Sequence, residues 1–286
     1  MNELELDLLI RKALAEDIGA GDWTTTATVA AGTRATGVLR SREAGVVAGL
    51  EVARRVFGVL DPSVEFRNRV ADGERVQRGT VLAEVSGAAR PILSGERVAL
   101  NFLCRLSGIA TRTRRLSELV EGYPVRLVDT RKTTPGLRML EKYAVRVGGG
   151  HNHRFALDDG VLIKDNHIAV AGGITAAVRS ARAAAHHLLK VEVEVEDLDG
   201  VREALAAGAD VILLDNMPPA LIEEAVRLVD GRVLLEASGN VDEQNIREIA
   251  ATGVDLISLG RLTHSVPDLD IGLDLERPGS FSPRGR

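Results

Sequence analysis

Apolar positions recur at helical spacing over residues 3–16, where Leu6, Leu9, Ile10, Ala13 and Leu14 share one face, and Gly19 and Gly21 end the run. The chain is therefore expected to open with an amphipathic helix. From residue 36 to 86 the pattern changes to short segments rich in valine and leucine, such as 64–70 and 80–85, divided by glycine turns that include Asp72-Gly73. That texture predicts a small sheet-containing domain. Helical spacing returns over residues 94–121 and leads into a second region.

The second region repeats a short apolar run that closes on a polar residue or glycine and is followed by helix-like sequence. Runs 125–128, 161–163, 191–193, 211–214, 233–235 and 256–259 close on Asp129, Lys164, Glu194, Asp215, Glu236 and Gly260. Strands alternating with helices imply parallel crossover units, and near-continuous apolar runs fit a sheet covered on both faces. Ligand sites in such folds gather at the carboxyl ends of the strands, where the loops converge. Ionisable residues at five of the six ends exceed what capping or loop solvation explains. Six units rather than eight favour an α/β fold built as an incomplete parallel barrel over a closed barrel or an open doubly wound sheet.

Composition narrows the setting. The 286 residues, 45% of them hydrophobic, can bury the core of one large domain or two smaller ones. The single cysteine, Cys104, forbids an intramolecular disulfide, and beside Leu100, Phe102 and Leu103 it reads as a small core residue. The first residues are acidic where a secretory leader would be basic, and no apolar run approaches the ~20 residues of a membrane span. A cytoplasmic protein with no membrane partner is expected. Its net charge of -5 argues against nucleic acid as a partner. Residues 129–167 nevertheless hold seven Lys and Arg against five Asp and Glu, with three of the six histidines. A basic stretch in an acidic chain suits a small anionic ligand, although a solvated charged face explains the count equally well.

Within that stretch, DTRKTTPG (129–136) follows the first predicted barrel strand. Arg131 can meet a carboxylate or phosphate as a fork and Lys132 as a point charge, yet alone this is also an ordinary charged loop. KYAVRVGGGHNHR (142–154) follows. Its three glycines leave backbone amides uncovered, as a phosphate cradle requires, but a plain flexible turn has the same look. LIKDNH (162–167) completes the group.

Together DTRKTTPGLR, EKYAVRVGGGHNHR and LIKDNH resemble the signature of the quinolinate phosphoribosyltransferase family, also called nicotinate-nucleotide pyrophosphorylase (carboxylating). The likeness extends from the first helix through LSGIAT (106–111), EVEVEDL, ILLDN, LEASGN and LTHSVPDLDIGLDL, and leaves out only about the last ten residues. It implies an amino-terminal α/β sandwich domain over residues 1–110, an incomplete α/β barrel phosphoribosyltransferase domain over 111–270 and a carboxyl-terminal segment over 271–286. Residues 277–286 of that segment are expected to be disordered. The activity implied is phosphoribosyl transfer from phosphoribosyl pyrophosphate to quinolinate with decarboxylation, giving nicotinate mononucleotide, pyrophosphate and CO2 in de novo NAD biosynthesis. Mg²⁺ is the implied cofactor. The resemblance also implies a homodimer with shared active sites, or a higher oligomer, in which each sandwich closes the neighbour's barrel mouth. The family's dicarboxylate pocket carries over to Arg131, His153, Arg154 and Lys164, with Arg97 reaching across from the partner subunit. Its phosphoribosyl pyrophosphate site carries over to Lys132, Glu194, Asp215, Ser238, Gly239, Gly260 and His264. Thr130 joins the substrate-binding set, Lys132, Lys164, Glu194 and Asp215 are the catalytic candidates, and Glu194 and Asp215 are the candidate metal ligands.

The residues suit that chemistry. A ring with two adjacent carboxylates needs clustered cations, which Arg131, Arg154 and Lys164 supply. A ribose carbon that becomes cationic as pyrophosphate departs wants carboxylates nearby, and Glu194 and Asp215 close two successive strands. Glu192 and Glu196 flank Glu194 at period two, so spacing alone leaves open which glutamate faces the ribose. Asp129 and Glu236 serve equally well as structural acceptors. His151 reads as a loop residue and His186-His187 as an exposed helix end. His153, flanked in sequence by cations, is expected to bind as a neutral donor. Two positions depart from the family pattern: Ala156 stands where glycine is usual, and Asn240 where a second glycine is common. Three rival functions remain at this stage: a related pyrophosphorylase-like protein of molybdate-transport gene clusters, an aldolase-type barrel with Lys164 as a Schiff base, and a non-catalytic binding protein.

Overall fold

A computed structural model describes residues 2–275 of the chain. Two compact units emerge, each with its own sheet. The expectation of disorder for residues 277–286 lies outside the described residues.

Of the described residues, the first unit gathers 2–112, 139–148 and 266–275. It opens with α1 (Glu3–Ile18), capped by the Asn2 side chain and ended at Gly19, with Leu6, Ile10 and Leu14 buried as the spacing predicts. After α2 (Trp23–Thr28) come β1 (Arg34–Ser41), β2 (Gly45–Val46), α3 (Leu50–Leu60), β3 (Glu65–Asn68), β4 (Arg75–Val76), β5 (Val81–Ala88) and α4 (Ala89–Leu119). β1 is central in an antiparallel sheet, between β5 and a strand from the far end of the chain, Ile271–Leu275. That last strand pairs Gly37 with Leu275 and Ser41 with Ile271. Leu39, Val47, Leu50, Leu82, Leu103, Leu269 and Ile271 form the core, each worth about 1.5–3 kcal/mol when fully buried. Cys104 packs on the edge of this cluster, half-buried, in keeping with its reading as a core residue.

The LSGIAT motif does structural work on α4. Ser107 accepts the Ala48 amide at 3.0 Å and Thr111 accepts the Val46 amide at 2.8 Å, so two hydroxyls satisfy a buried loop. Gly108 lets the backbone of residues 267–268 approach closely: a Cβ there would lie 2.2 Å from the Pro267 carbonyl oxygen.

The second unit holds residues 113–138 and 149–265. Its strands are β6 (Arg126–Val128), β7 (Val161–Ile163), β8 (Val191–Val195), β9 (Val211–Asp215), β10 (Leu234–Ser238) and β11 (Leu256–Ser258), which leaves β12 for Ile271–Leu275 in the first unit. All six pair in parallel in the order β6-β11-β10-β9-β8-β7. The helices between them are α6 (Asp165–Ala171), α7 (Ile174–Ala184), α8 (Leu198–Ala207), α9 (Pro219–Val229) and α10 (Ile246–Ala251); α5 (Arg138–Val147) belongs almost wholly to the first unit. Among the described residues β6 and β7 do not pair, so the barrel is incomplete. His151 instead bridges β6 at Val128 and turns the following residues along that edge.

Two predicted strand ends shift. β8 runs on to Val195 and β10 to Ser238, so Glu194 and Glu236 lie inside strands, and Ser238 rather than Glu236 closes β10. The period-two pleat explains the misreading, because an inward glutamate interrupts an apolar run without ending the strand.

Gly108→Ala is expected to lose about 1–3 kcal/mol of stability, at the upper end because the clash is with backbone. A urea midpoint equal to that of the parent would show that residues 267–268 move aside freely.

Candidate active site

Each strand of the barrel delivers its side chains at a depth set by the pleat, and the carboxyl ends converge on a cavity of about 510 Å³. Lys164 directly follows β7. Its amide donates to His167 Nδ1 at 3.0 Å, which fixes the start of α6 and explains the IKDNH string as a local cap. Lys164 Nζ reaches Glu194 Oε2 at 2.7 Å, so the two residues expected in separate subsites are ion-paired to each other. The lysine nitrogen is engaged as a donor rather than presented as a free amine, which speaks against the Schiff-base reading.

Asp215 ends β9, and its Oδ2 accepts from Asn216 Nδ2 at 2.8 Å. Asn216 in turn accepts from Asn240 Nδ2 at 3.0 Å. Both asparagines adopt positive φ, 54° and 50°, which asparagine tolerates better than most residues. Asn240, the departure from glycine, thus fits the turn and braces Asp215 through Asn216. Gly239 cannot be replaced so easily: its φ is 92° and a Cβ would lie 2.2 Å from Asn216 Oδ1. Ala156 is not among the residues with positive φ, so its difference from glycine imposes no strain of that kind.

Across the cavity Lys132 is pinned through its backbone, its amide donating to Thr130 Oγ1 at 3.0 Å and its carbonyl accepting from buried Thr263 at 2.8 Å. Lys132 and His264 flank Gly260, where a Cβ would come within 2.9 Å of both side chains. Thr130, Lys132, Lys164, Glu194, Asp215, Ser238, Gly239, Gly260 and His264 all line this cavity. Asn216 and Asn240 line it too; Asn216 was missed in the sequence and Asn240 was noted only as a departure from glycine, because their left-handed turns are visible only in the backbone.

Arg131, His153 and Arg154 do not line that cavity. Arg131 and Arg154 lie near enough for their charges to repel; burial and then the Arg131 cation hold Arg154 below its ordinary proton affinity, while Glu192 opposes the shift. Arg97, exposed on α4, belongs to the first unit. The triple glycine does not line the cavity either, and the preceding helix is structural: Glu141 pairs with Arg105 at 3.0 Å, and Tyr143 donates to Asp72 at 2.6 Å. Burial first, then the Asp72 contact, drives the Tyr143 hydroxyl pKa up.

His153 meets surroundings unlike those its sequence neighbours suggested. Its Nε2 lies 3.0 Å from Glu192 Oε2 and 3.5 Å from Glu236 Oε2, because period two sends Glu192, Glu194 and Glu236 inward. Its Nε2 is therefore in contact with two carboxyl groups that its sequence neighbours did not suggest. Its backbone amide donates to Asp129 Oδ1 at 2.9 Å, and Asn152 donates to Oδ2 of the same buried carboxylate at 2.5 Å, giving Asp129 the structural acceptor role. Glu194 faces the cavity, Glu192 lies deeper with His153, and Glu196 falls beyond the strand, which settles their arrangement. Burial, followed by the Glu192 charge, pushes the Glu236 carboxyl up to about 7, with His153, a Ser258 hydrogen bond and Lys164 offsetting part of the rise.

An α/β barrel whose strand ends place two lysines, two carboxylates and glycine turns around one polar cavity is suited to a ligand carrying both phosphates and carboxylates. The class of protein is given by the family models. The model described as "Quinolinate phosphoribosyl transferase, C-terminal domain" matches residues 109–274, and its N-terminal counterpart matches residues 22–107. This chain belongs to the quinolinate phosphoribosyltransferase family. It is 46% identical over 275 residues to the probable nicotinate-nucleotide pyrophosphorylase [carboxylating] of Bacillus subtilis (strain 168), covering 96% of this chain and 95% of the relative. It is 50% identical over 274 residues to the nicotinate-nucleotide pyrophosphorylase [carboxylating] of Mycobacterium leprae (strain TN), covering 93% and 95%. Among solved structures, NadC from Streptococcus pyogenes matches with a TM-score of 0.92 at 45% identity, over 97% of this chain and 99% of that one.

The raised Glu236 carboxyl gives a pH test. Between its unfolded range, near 4.5, and about 7 the folded protein binds more protons than the unfolded one, so this group lowers stability as pH rises through that window. Glu236→Gln removes the effect. It is expected to raise stability at pH 8 by on the order of 1–3 kcal/mol and to give much less at pH 4; a gain equal at both pH values, or none, would contradict the burial argument.

Proposed function

We infer that this chain is a nicotinate-nucleotide pyrophosphorylase (carboxylating): it transfers the phosphoribosyl group from phosphoribosyl pyrophosphate to quinolinate, with loss of CO2, and yields nicotinate mononucleotide and pyrophosphate for NAD biosynthesis. The observation that carries this reading is the ring of polar groups, Lys132, Lys164, Glu194, Asp215 and Ser238, around one cavity in a chain matched along almost its whole length by the family.

Arg131, Arg154 and Lys164 receive the two carboxylates and orient the ring nitrogen toward the ribose. To meet the diacid, Lys164 must exchange Glu194 for a substrate carboxylate, which frees Glu194 to hold a ribose hydroxyl opposite Asp215. As the ring nitrogen bonds to the anomeric carbon, the bond to pyrophosphate breaks, and the two carboxylates stabilise the positive charge that develops there. Lys132, His264 and the turns at Ser238-Gly239 and Gly260 receive the departing pyrophosphate. Decarboxylation follows, because the quaternised nitrogen stabilises the electron pair left on the adjacent ring carbon, which then takes up a proton.

Mg²⁺ fits the donor set. Glu194 and Asp215 offer hard oxygen ligands at the rim of a polar cavity, as this ion prefers. When bound, it neutralises pyrophosphate charge. The proposed assembly is a cytoplasmic homodimer in which Arg97 of one subunit completes the dicarboxylate pocket of the other. No helix among the described residues is long and apolar enough to cross a membrane.

Protein mixed with quinolinate, phosphoribosyl pyrophosphate and Mg²⁺ is expected to produce nicotinate mononucleotide, while nicotinic acid, which lacks the second carboxylate, reacts poorly; no product from quinolinate overturns the reading. Lys164→Ala is expected to lower kcat/KM by the equivalent of about 2–5 kcal/mol, as for a buried charge contact, with the lower half favoured because this lysine is half-exposed. Impaired Arg97→Ala and Lys164→Ala chains, once mixed and allowed to exchange subunits, should exceed the activity of either alone, and failure to do so would count against a shared site.

A further inference from the structure

Asp215 has a task in the reaction as derived, yet a carboxylate on a rotatable side chain serves a developing charge only if its orientation is held. Two loops hold it. Asn216 Nδ2 donates to Asp215 Oδ2 at 2.8 Å, and Asn216 Oδ1 accepts from Asn240 Nδ2 at 3.0 Å. Both asparagines are anchored through their backbones: the Asn216 amide donates to the Ser238 carbonyl at 2.9 Å, and the Asn240 carbonyl accepts from Asn245 Nδ2 at 3.0 Å. Gly239 lies between them, and because a Cβ there would sit 2.2 Å from Asn216 Oδ1, its missing side chain makes room for the relay.

The polarity of this relay is fixed by its end. An ionised carboxylate only accepts, so Asn216 must turn its NH2 toward Asp215 and its oxygen toward Asn240, which must then donate. Oδ2 of Asp215 is thereby occupied, while among the described residues none donates to Oδ1. Asn240 Nδ2 keeps a second N–H with no acceptor among the described residues, and Asn240 lines the same cavity as the Ser238-Gly239 turn assigned above to the departing pyrophosphate. The turn after β10 and the carboxylate that ends β9 are thus joined by two side-chain amides. Glycine, common in the family at residue 240, would adopt the same backbone, with its φ of 50°, but would contribute no amide.

We propose that Asn216 and Asn240 are positioning residues for the phosphoribosyl transfer, acting in series to hold the Asp215 carboxylate with Oδ2 engaged by the protein and Oδ1 left for the ribose. The proposal rests on the functional reading above. Neither asparagine takes part in bond making or breaking. Their contribution is alignment: they keep Asp215 in place while positive charge develops at the anomeric carbon, when its carboxylate matters most. The diacid end of the site, at Arg131, His153 and Arg154, is untouched by their loss.

The test is a double-mutant cycle in steady-state kinetics, read beside nitrogen NMR of the unliganded protein. Asn216→Gly and Asn240→Gly suit the positive φ of both positions, 54° and 50°, and delete only the side chains. Each is expected to lower kcat about tenfold, with the KM for quinolinate within about twofold of the parent. Because the amides act in series, the double variant should be no slower than the slower single one. Asparagines that only stabilised their own turns would act independently, and the double variant would then lose about a hundredfold. In the folded protein, Asn240→Gly should also shift the side-chain amide signal of Asn216. Where the parent forms product, the proposal alone is overturned by a parent-like kcat in either single variant, by a hundredfold loss in the double one, by a KM for quinolinate that moves in step with kcat, or by an unmoved Asn216 signal. Absence of product from the parent overturns the functional reading and this proposal with it.

Discussion

Charge carried inward by a parallel sheet has to be compensated side chain by side chain, because little solvent reaches the interior to do it. In the barrel unit this constraint governs almost everything around the cavity. Lys164 answers Glu194, the Glu192 charge supports Arg154, and His153 separates two carboxyl groups that would otherwise confront each other. At Glu236 burial and the Glu192 charge outweigh that compensation, leaving a carboxyl group whose ionised form is disfavoured up to about pH 7.

The backbone provides the means. A pleat of period two puts Val191, Val193 and Val195 on one face of β8 and Glu192 and Glu194 on the other, so one strand supplies apolar packing and two depths of acidic side chain at once. On β10 the same alternation places Glu236 in the interior and Ser238 at the rim. Left-handed turns at Asn216, Gly239 and Asn240 then bend the chain sharply after β9 and β10, and their amides tie Asp215 to the neighbouring loop. Rigid strands with braced turns hold charged groups in place more firmly than long loops would.

Much of this could be read from the sequence. The six apolar runs located all six parallel strands, and the polar residues that interrupt or close them located Lys164, Glu194 and Asp215 on the cavity. Other features were not local enough to be read. β12 pairs with β1, at residues 34–41 and more than 200 residues away along the chain, so its place in the first sheet was invisible to any window. The DTRK and GGGHNHR strings suggested one cationic group, but the strands brought His153 to carboxylates from β8 and β10, a contact that depends on register rather than on sequence spacing. The triple glycine, open in the sequence between a phosphate cradle and a plain turn, forms a turn after α5 and does not line the cavity.

The two ion-paired layers differ in what they can do. Lys164 is about half-exposed, its partner Glu194 much less so, and a pair at such a rim gains little net energy from its contact because water competes for the ammonium. Exchanging Glu194 for a carboxylate of an entering diacid is therefore cheap, and the exchange releases Glu194 at the moment a sugar hydroxyl or a cation would need it. The Glu192–His153–Glu236 layer cannot exchange in this way, since its groups are almost fully buried and any charge left without a partner there would be costly. A labile pair above a fixed one gives the site both of its requirements: cations that change partners when the substrate enters, and a base beneath them that does not move when they do.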